Sequence, residues 1–203
     1  TSWPEMDVGE ILRFGKRALR SAEGVQVPLP ELSSIRTGRC ISPYFARRLL
    51  ALRTAIQDLP AGPNQDAVML ALAGAIEPVS KVRRDGRALR IVEKKRRFLD
   101  VEFTSRLQCI AEDVAGMQGA YSSVRVPNVI LGDGRRPLEA GVAEGSIDLV
   151  LTSPPYPNNI DYTEVYKLEL WLLGFVSTAE GFLDLRRRTF RSHPTCAETS
   201  SSP

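Results

Sequence analysis

Ser153-Pro154-Pro155-Tyr156 is a tetrapeptide whose residue types suit one kind of ligand. The two prolines contribute no N–H and fix φ, and they push Ser153 and Pro154 away from helical geometry, so the turn points bare carbonyl oxygens outward. Ser153 adds a hydroxyl that can accept a hydrogen bond, and Tyr156 adds a flat face with a polar tip. Acceptors beside an aromatic fit a planar ring that bears an NH₂ group. Asn158, Asn159 and Asp161 follow directly, a polar cluster that a core would reject.

An element must aim such a turn. SIDLVLTSPPY predicts a short, strongly apolar strand over 147–152 that ends at Ser153, and VPNVILGDGRRPL predicts another over 128–131 that ends at Gly132-Asp133. Both have the look of buried parallel strands. In open α/β sheets ligands sit beyond the carboxyl ends of the strands, where Asp133 and Ser153 fall. After the turn, EVYKLELWLLG predicts a helix over 164–174 closed by Gly174, with Trp171 in its core face. Ser177 with Glu180 forms a capping-box pattern that opens a helix to about Arg188. His193 reads as a loop residue, and the tail 195–203 is low in complexity and expected to be disordered.

The first 120 residues read as mainly helical. Val8, Ile11, Leu12 and Leu19 mark one side of a helix running from about Pro4, and residues 24–41 form a connector. Ser42-Pro43 supplies an N-cap and a first-turn proline, with Phe45, Leu49, Leu52 and Ile56 following at helical spacing to about Leu59. The stretch 60–64 breaks that helix, Asn64 is placed to cap the next, and Ala67 to Val79 continue it up to a late Pro78. Phe103, Leu107, Ile110 and Val114 mark a further amphipathic helix over 99–117.

Between them lies the densest charge of the chain: Lys81, Arg83, Arg84, Arg87, Arg90, Lys94, Lys95, Arg96 and Arg97, against Asp85 and Glu93. Without a clean period, and with the turn signal Asp85-Gly86, this stretch is expected to be an exposed loop. The net charge of +3 over 203 residues is otherwise modest. Three widely spaced cysteines (Cys40, Cys109, Cys196) give neither a disulfide framework nor a zinc site, and a single histidine leaves little for a metal centre. A reducing cytoplasm fits. No apolar run approaches the roughly 20 residues that span a bilayer.

With these pieces in place, Thr152 to Tyr156, together with Pro157-Asn158-Asn159-Ile160-Asp161-Tyr162, resembles the catalytic motif of the amino-methylating, S-adenosylmethionine-dependent DNA methyltransferases. The TSPPY form is most similar to the branch that methylates N4 of cytosine. SKVRRDGRALR, VILGDGRRPL, YKLELWLLGF and RSHP resemble the surrounding segments, so the likeness covers most of residues 40–195. It implies a partial Rossmann-like α/β methyltransferase sheet in residues 121–194, preceded by a helical, DNA-facing region in 1–120 whose basic stretch Lys81 to Arg97 would neutralise phosphates. It also implies that the Ser153 hydroxyl and the Pro154 carbonyl hold the hydrogens of the target amine, so that its lone pair localises for in-line attack on the sulfonium methyl. Tyr156 would stack on a base flipped out of the duplex. Asp133, with Gly132 before it and Thr152 ahead of the turn, would lie beside the cofactor, and Asn158, Asn159 and Asp161 would shape the mouth of the base pocket.

The sequence also departs from that family. Such enzymes carry a glycine-rich FxGxG-like loop to hold the cofactor; Gly132-Asp133-Gly134 and Gly141 to Gly145 lack its preceding aromatic and open no helix. With a first residue that is not methionine, the resemblance implies a fragment whose cofactor loop comes from a missing segment or a separate chain. Two functional classes follow: a DNA methyltransferase, with adenine N6 or RNA as further targets, or a nucleic-acid-binding remnant without catalysis.

Overall fold

A computed structural model describes residues 6–29, 39–85, 89–95, 97–120, 128–130, 132–134, 136–153 and 161–188. The chain is mixed α/β and mostly helical, with one small antiparallel sheet of two strands among the described residues. Four helices make the body: α1 (Val8–Ser21), α2 (Pro43–Gln57), α3 (Pro63–Val79) and α4 (Leu99–Ala120). The strands β1 (Val82–Arg84) and β2 (Leu89–Ile91) stand between α3 and α4, and α5 (Tyr162–Val165), α6 (Lys167–Leu172) and α7 (Ala179–Arg188) follow.

Local chemistry sets the helix starts. α1 begins at Val8, two residues after the described chain opens, where the Asp7 carboxylate accepts the Glu10 N–H at 2.7 Å; Pro4, its expected start, lies outside the described residues. Ser42 caps α2 as expected, accepting the Phe45 N–H at 3.3 Å ahead of Pro43. Asn64 does not cap α3. That place belongs to Gly62, while Asn64 is buried one position into the helix, where its Oδ1 accepts the Asp7 N–H at 2.9 Å and its amide donates to Glu10. A residue that looks like a local cap instead ties α3 to the start of α1. α7 is likewise capped by Thr178, whose hydroxyl accepts the Gly181 N–H at 3.0 Å, rather than by Ser177.

Burial then follows the helical period. Ile11, Phe14, Gly15 and Ala18 of α1 meet Phe103, Leu107 and Val114 of α4, with Leu49, Leu52, Ile56, Val68, Leu72 and Ile76 between them. α1 and α4 approach so closely that a Cβ on Gly15 would lie 2.1 Å from Leu107 Cδ2. Leu168, Trp171 and Leu172 join this core from α6. The helix expected over 164–174 breaks at Tyr166 (φ −102°, ψ 17°) into α5 and α6, so that α5 answers to Asp161 while α6 turns its apolar side to the bundle. Gly174 closes α6 at φ +82°, and Arg53 of α2 donates to the Leu172 carbonyl at 3.1 Å, filling the space a Gly174 side chain would need. No helix among the described residues is long and apolar enough to cross a membrane.

Candidate functional site

The segment leading to the turn differs from its expectation. Neither 128–130 nor 147–152 forms a strand, and Leu131 lies outside the described residues. Val129, Leu149 and Leu151 are 88%, 83% and 96% exposed. From Ile147 to Ser153, neither main chain nor side chain makes a hydrogen bond or ion pair to any described residue. The cause is physical. A strand's N–H and C=O groups are satisfied only by a neighbouring strand, and no described residues run beside this one.

Ser153 is exposed at the end of this segment; Pro154, Pro155, Tyr156, Asn158 and Asn159 lie outside the described residues. Thr152, Gly132 and Asp133 are exposed too, and none of them lines any of the clefts on the helical body detailed below. The Asp133 carbonyl accepts the Arg136 N–H at 2.8 Å, which begins a compact turn over 136–142. A cofactor of adenosyl type needs a concave, largely buried cradle. The described residues do not form one at Gly132, Asp133 and Thr152, so these three alone do not fit the implied cofactor.

Asp161, expected at the mouth of a base pocket, is buried and fully engaged. It caps α5, accepting the N–H groups of Thr163 at 3.0 Å and Glu164 at 3.3 Å and the Thr163 hydroxyl, and it pairs with Arg186 of α7 at 2.8 Å. Burial pushes its carboxyl up, but the Thr163 hydroxyl, the Arg186 charge and the two backbone donors together outweigh it and hold the pKa below the ordinary value. Arg186 also bonds Glu164 and lies over the Phe182 ring at 5.2 Å. The downstream border of the turn is thereby fixed to a rigid knot, while its upstream border is unpaired.

The basic stretch is not a loop throughout: β1 and β2 pair antiparallel in register Val82↔Ile91, Arg83↔Arg90 and Arg84↔Leu89, with Val82 buried, while 92–95 carry no regular structure and Gly86 lies outside the described residues. Arg83 faces Arg90, a repulsive cross-strand pair that is eased because Arg90 turns to Asp85 at 2.9 Å. The nine cations divide by what they touch. Arg84 is drawn inward, paired with Glu77 at 3.1 Å and with Glu169, and stacked 4.8 Å from the Tyr166 ring centre. Burial raises the Glu169 carboxyl above its ordinary range, against the pull of Arg84.

Lys94 donates to the Glu77 carbonyl at 2.9 Å and to that of Val82, closing the end of α3; burial of this ammonium, with Arg83, Arg97 and Arg84 nearby, lowers its pKa against the opposing charge of Glu77. Arg97 pairs with Glu102 at 2.7 Å. Lys81, Arg83 and Lys95 are exposed; Arg87 and Arg96 lie outside the described residues. Two residues escaped the sequence reading: Arg106, whose side chain lies along Gly74 and joins Lys94 in one cleft, and Tyr44, a 66% exposed ring on the first turn of α2. Arg106 reads as an ordinary solvent-side cation of α4, and Tyr44 is hidden behind its neighbour Phe45; neither carries a motif signal.

A scan against family models, a search of curated proteins and a search of solved structures each return no match to the chain.

Proposed function

We propose that the chain carries the acceptor-side half of an S-adenosylmethionine-dependent DNA amino-methyltransferase, with N4 of cytosine as the target. The observation that supports this reading is the run Thr152 to Tyr156 with its Asn-Asn-Ile-Asp-Tyr continuation, placed between an exposed apolar segment and a helix start locked by Asp161. The work of the turn is positional. The Ser153 hydroxyl oxygen and the Pro154 carbonyl accept the two hydrogens of an exocyclic amine, which weakens conjugation of its lone pair with the ring and orients it for methyl transfer. A Rossmann-like sheet is the arrangement this reading implies for 128–131 and 147–152 when neighbouring strands stand beside them. The cofactor supplies the methyl group, and Gly132, Asp133 and Thr152 would form one edge of its cradle together with residues outside those described.

The exposed, unbonded state of Ile147 to Ser153 favours a second reading, a nucleic-acid-binding chain that does not bind the methyl donor. Calorimetric titration with S-adenosylmethionine separates the two. Micromolar binding, with transfer of a labelled methyl group to DNA that falls about a hundredfold or more in Ser153→Ala, is the outcome expected of the first reading. Absence of donor binding at millimolar concentration selects the second.

A further inference from the structure

Two clefts on the helical body share a wall. One, of about 470 Å³, runs from the last turn of α3 to α4 and gathers Glu77, Arg84, Lys94, Arg97 and Arg106 above Gly74. The other, of about 330 Å³, continues across Pro78, Lys94 and Arg97 to Lys95 and Tyr44. Both volumes lie in the range of about 300–1,000 Å³ usual for ligand sites.

The groove is electrostatically divided. Arg84 and Arg97 are committed to carboxylates, whereas Lys94 and Arg106 line the same cleft with no ion pair to a carboxylate among the described residues. Lys94 spends hydrogen bonds on the Glu77 and Val82 carbonyls, which fix its position, and the Glu77 carboxylate acts on it only at longer range. At the other end, Tyr44 stands out from α2 with its ring steadied edge-on by Phe45, at 5.3 Å between centroids and 69° between planes. A large exposed aromatic beside exposed cations that line the same groove is the arrangement that stacks a base while its phosphate is neutralised.

We propose that this continuous groove binds single-stranded nucleic acid, with an unpaired base on the Tyr44 ring and the adjoining phosphates at Lys94 and Arg106. A duplex keeps its bases stacked internally and offers Tyr44 no free face. The inference rests on the nucleic-acid part of the function proposed above and is independent of methyl transfer. It also assigns the face of the body that receives a strand, through three residues outside the TSPPY motif, two of which, Arg106 and Tyr44, also lie outside the basic run.

The test is fluorescence anisotropy of the full chain with a labelled oligodeoxythymidylate and with a duplex of equal length, without methyl donor. Tyr44→Ala should weaken strand binding about tenfold and leave duplex binding unchanged, because loss of one base stack is worth roughly that factor or more. Tyr44→Phe, which keeps the ring, should bind as the parent does. Arg106→Gln should weaken binding and reduce the slope of log affinity against log salt by about one. Circular dichroism of each variant checks that the helices are retained. The proposal is overturned if the parent chain binds no strand, if it prefers the duplex, or if Tyr44→Ala and Arg106→Gln both bind as the parent does. Tyr44-dependent strand binding without donor binding keeps the groove and removes the methyltransferase; donor binding and methyl transfer with strand binding indifferent to Tyr44 do the reverse.

Discussion

The helical body and the segment 128–153 are similarly apolar and differently placed. In the body, Ile11, Leu52, Phe103 and Ile76 are fully buried; in the segment, Val129, Leu149, Val150 and Leu151 face solvent. Hydrophobicity does not separate them. The difference lies in where the main chain finds its hydrogen bonds. A helix closes its own N–H to C=O bonds within four residues and has only to lay one stripe against a neighbour. A strand needs a second strand before any of its main-chain groups is satisfied, and a parallel one needs cover on both faces. Burial in the body is the outcome of elements that already stand alone; in the segment the element waits on its surroundings.

The comparison breaks first at the core. Phe103→Ala removes a fully buried ring where α4 meets the other helices and should cost about 3–5 kcal/mol, read as a drop in the urea midpoint. A loss below about 1 kcal/mol would mean that the body is no better packed than the segment, since exposed substitutions stay within roughly ±0.5 kcal/mol.

A middle effect is expected at the knot of Asp161, Glu164 and Arg186 that ties α5 to α7. Asp161→Asn keeps the shape of the cap but removes one of the carboxylates facing Arg186, leaving Glu164 as a surviving partner. Removal of one partner from a buried pair costs about 3–5 kcal/mol when the other is left uncompensated, and the surviving Glu164 contact puts the loss near the lower end or below it. The pH dependence has a definite sign. Because the Asp161 pKa is lowered on folding, the unfolded chain takes up the proton first as pH falls. Its stabilisation is therefore complete above the ordinary carboxylate range and is lost as pH drops through the folded value. The parent chain should lose stability on that acid limb and Asp161→Asn should lose less of it, as thermal melts across the range would record. Glu169 runs the other way: its raised pKa means that its contribution weakens as pH rises through the folded value, so the two carboxyls do not mask each other.

The helices were legible because their signals are local. Ser42-Pro43 marks its own helix start, and Phe103, Leu107 and Val114 mark their own buried face. What the sequence concealed was longer in range. Asn64 has the chemistry of a local cap, but its partners, Asp7 and Glu10, are more than fifty residues away. Arg84 and Lys94 read as two members of a solvated run, and only the placement of Glu77 and Glu169 turns Arg84 inward and only the end of α3 engages Lys94. The hairpin was missed for the same reason: Val82 and Ile91 alternate too briefly to show a period until they face each other. Of the candidate site, the residue types of the turn are legible in Ser153 to Tyr156. The neighbours that would convert 147–152 into a strand are not, because pairing leaves no trace in the strand that awaits it.

The smallest effect is the sharpest test of that last point. Leu151 has the character of a core residue and is 96% exposed, so Leu151→Ala should leave the stability of the chain unchanged within about 0.5 kcal/mol. Hydrogen exchange of the same segment gives an independent reading. With no acceptor among the described residues for any N–H between Asp148 and Ser153, these amides should exchange at close to unprotected rates, while those in the middle of α3 and α4 exchange only on opening of the body. Protection at Leu149 and Leu151, or a cost of 2 kcal/mol or more for Leu151→Ala as a buried site requires, would mean that the segment is paired in solution. Protection that arises only when a second polypeptide is added would identify the neighbour the strand lacks, and the same titration would show whether Ser153 is brought to a fixed position with it.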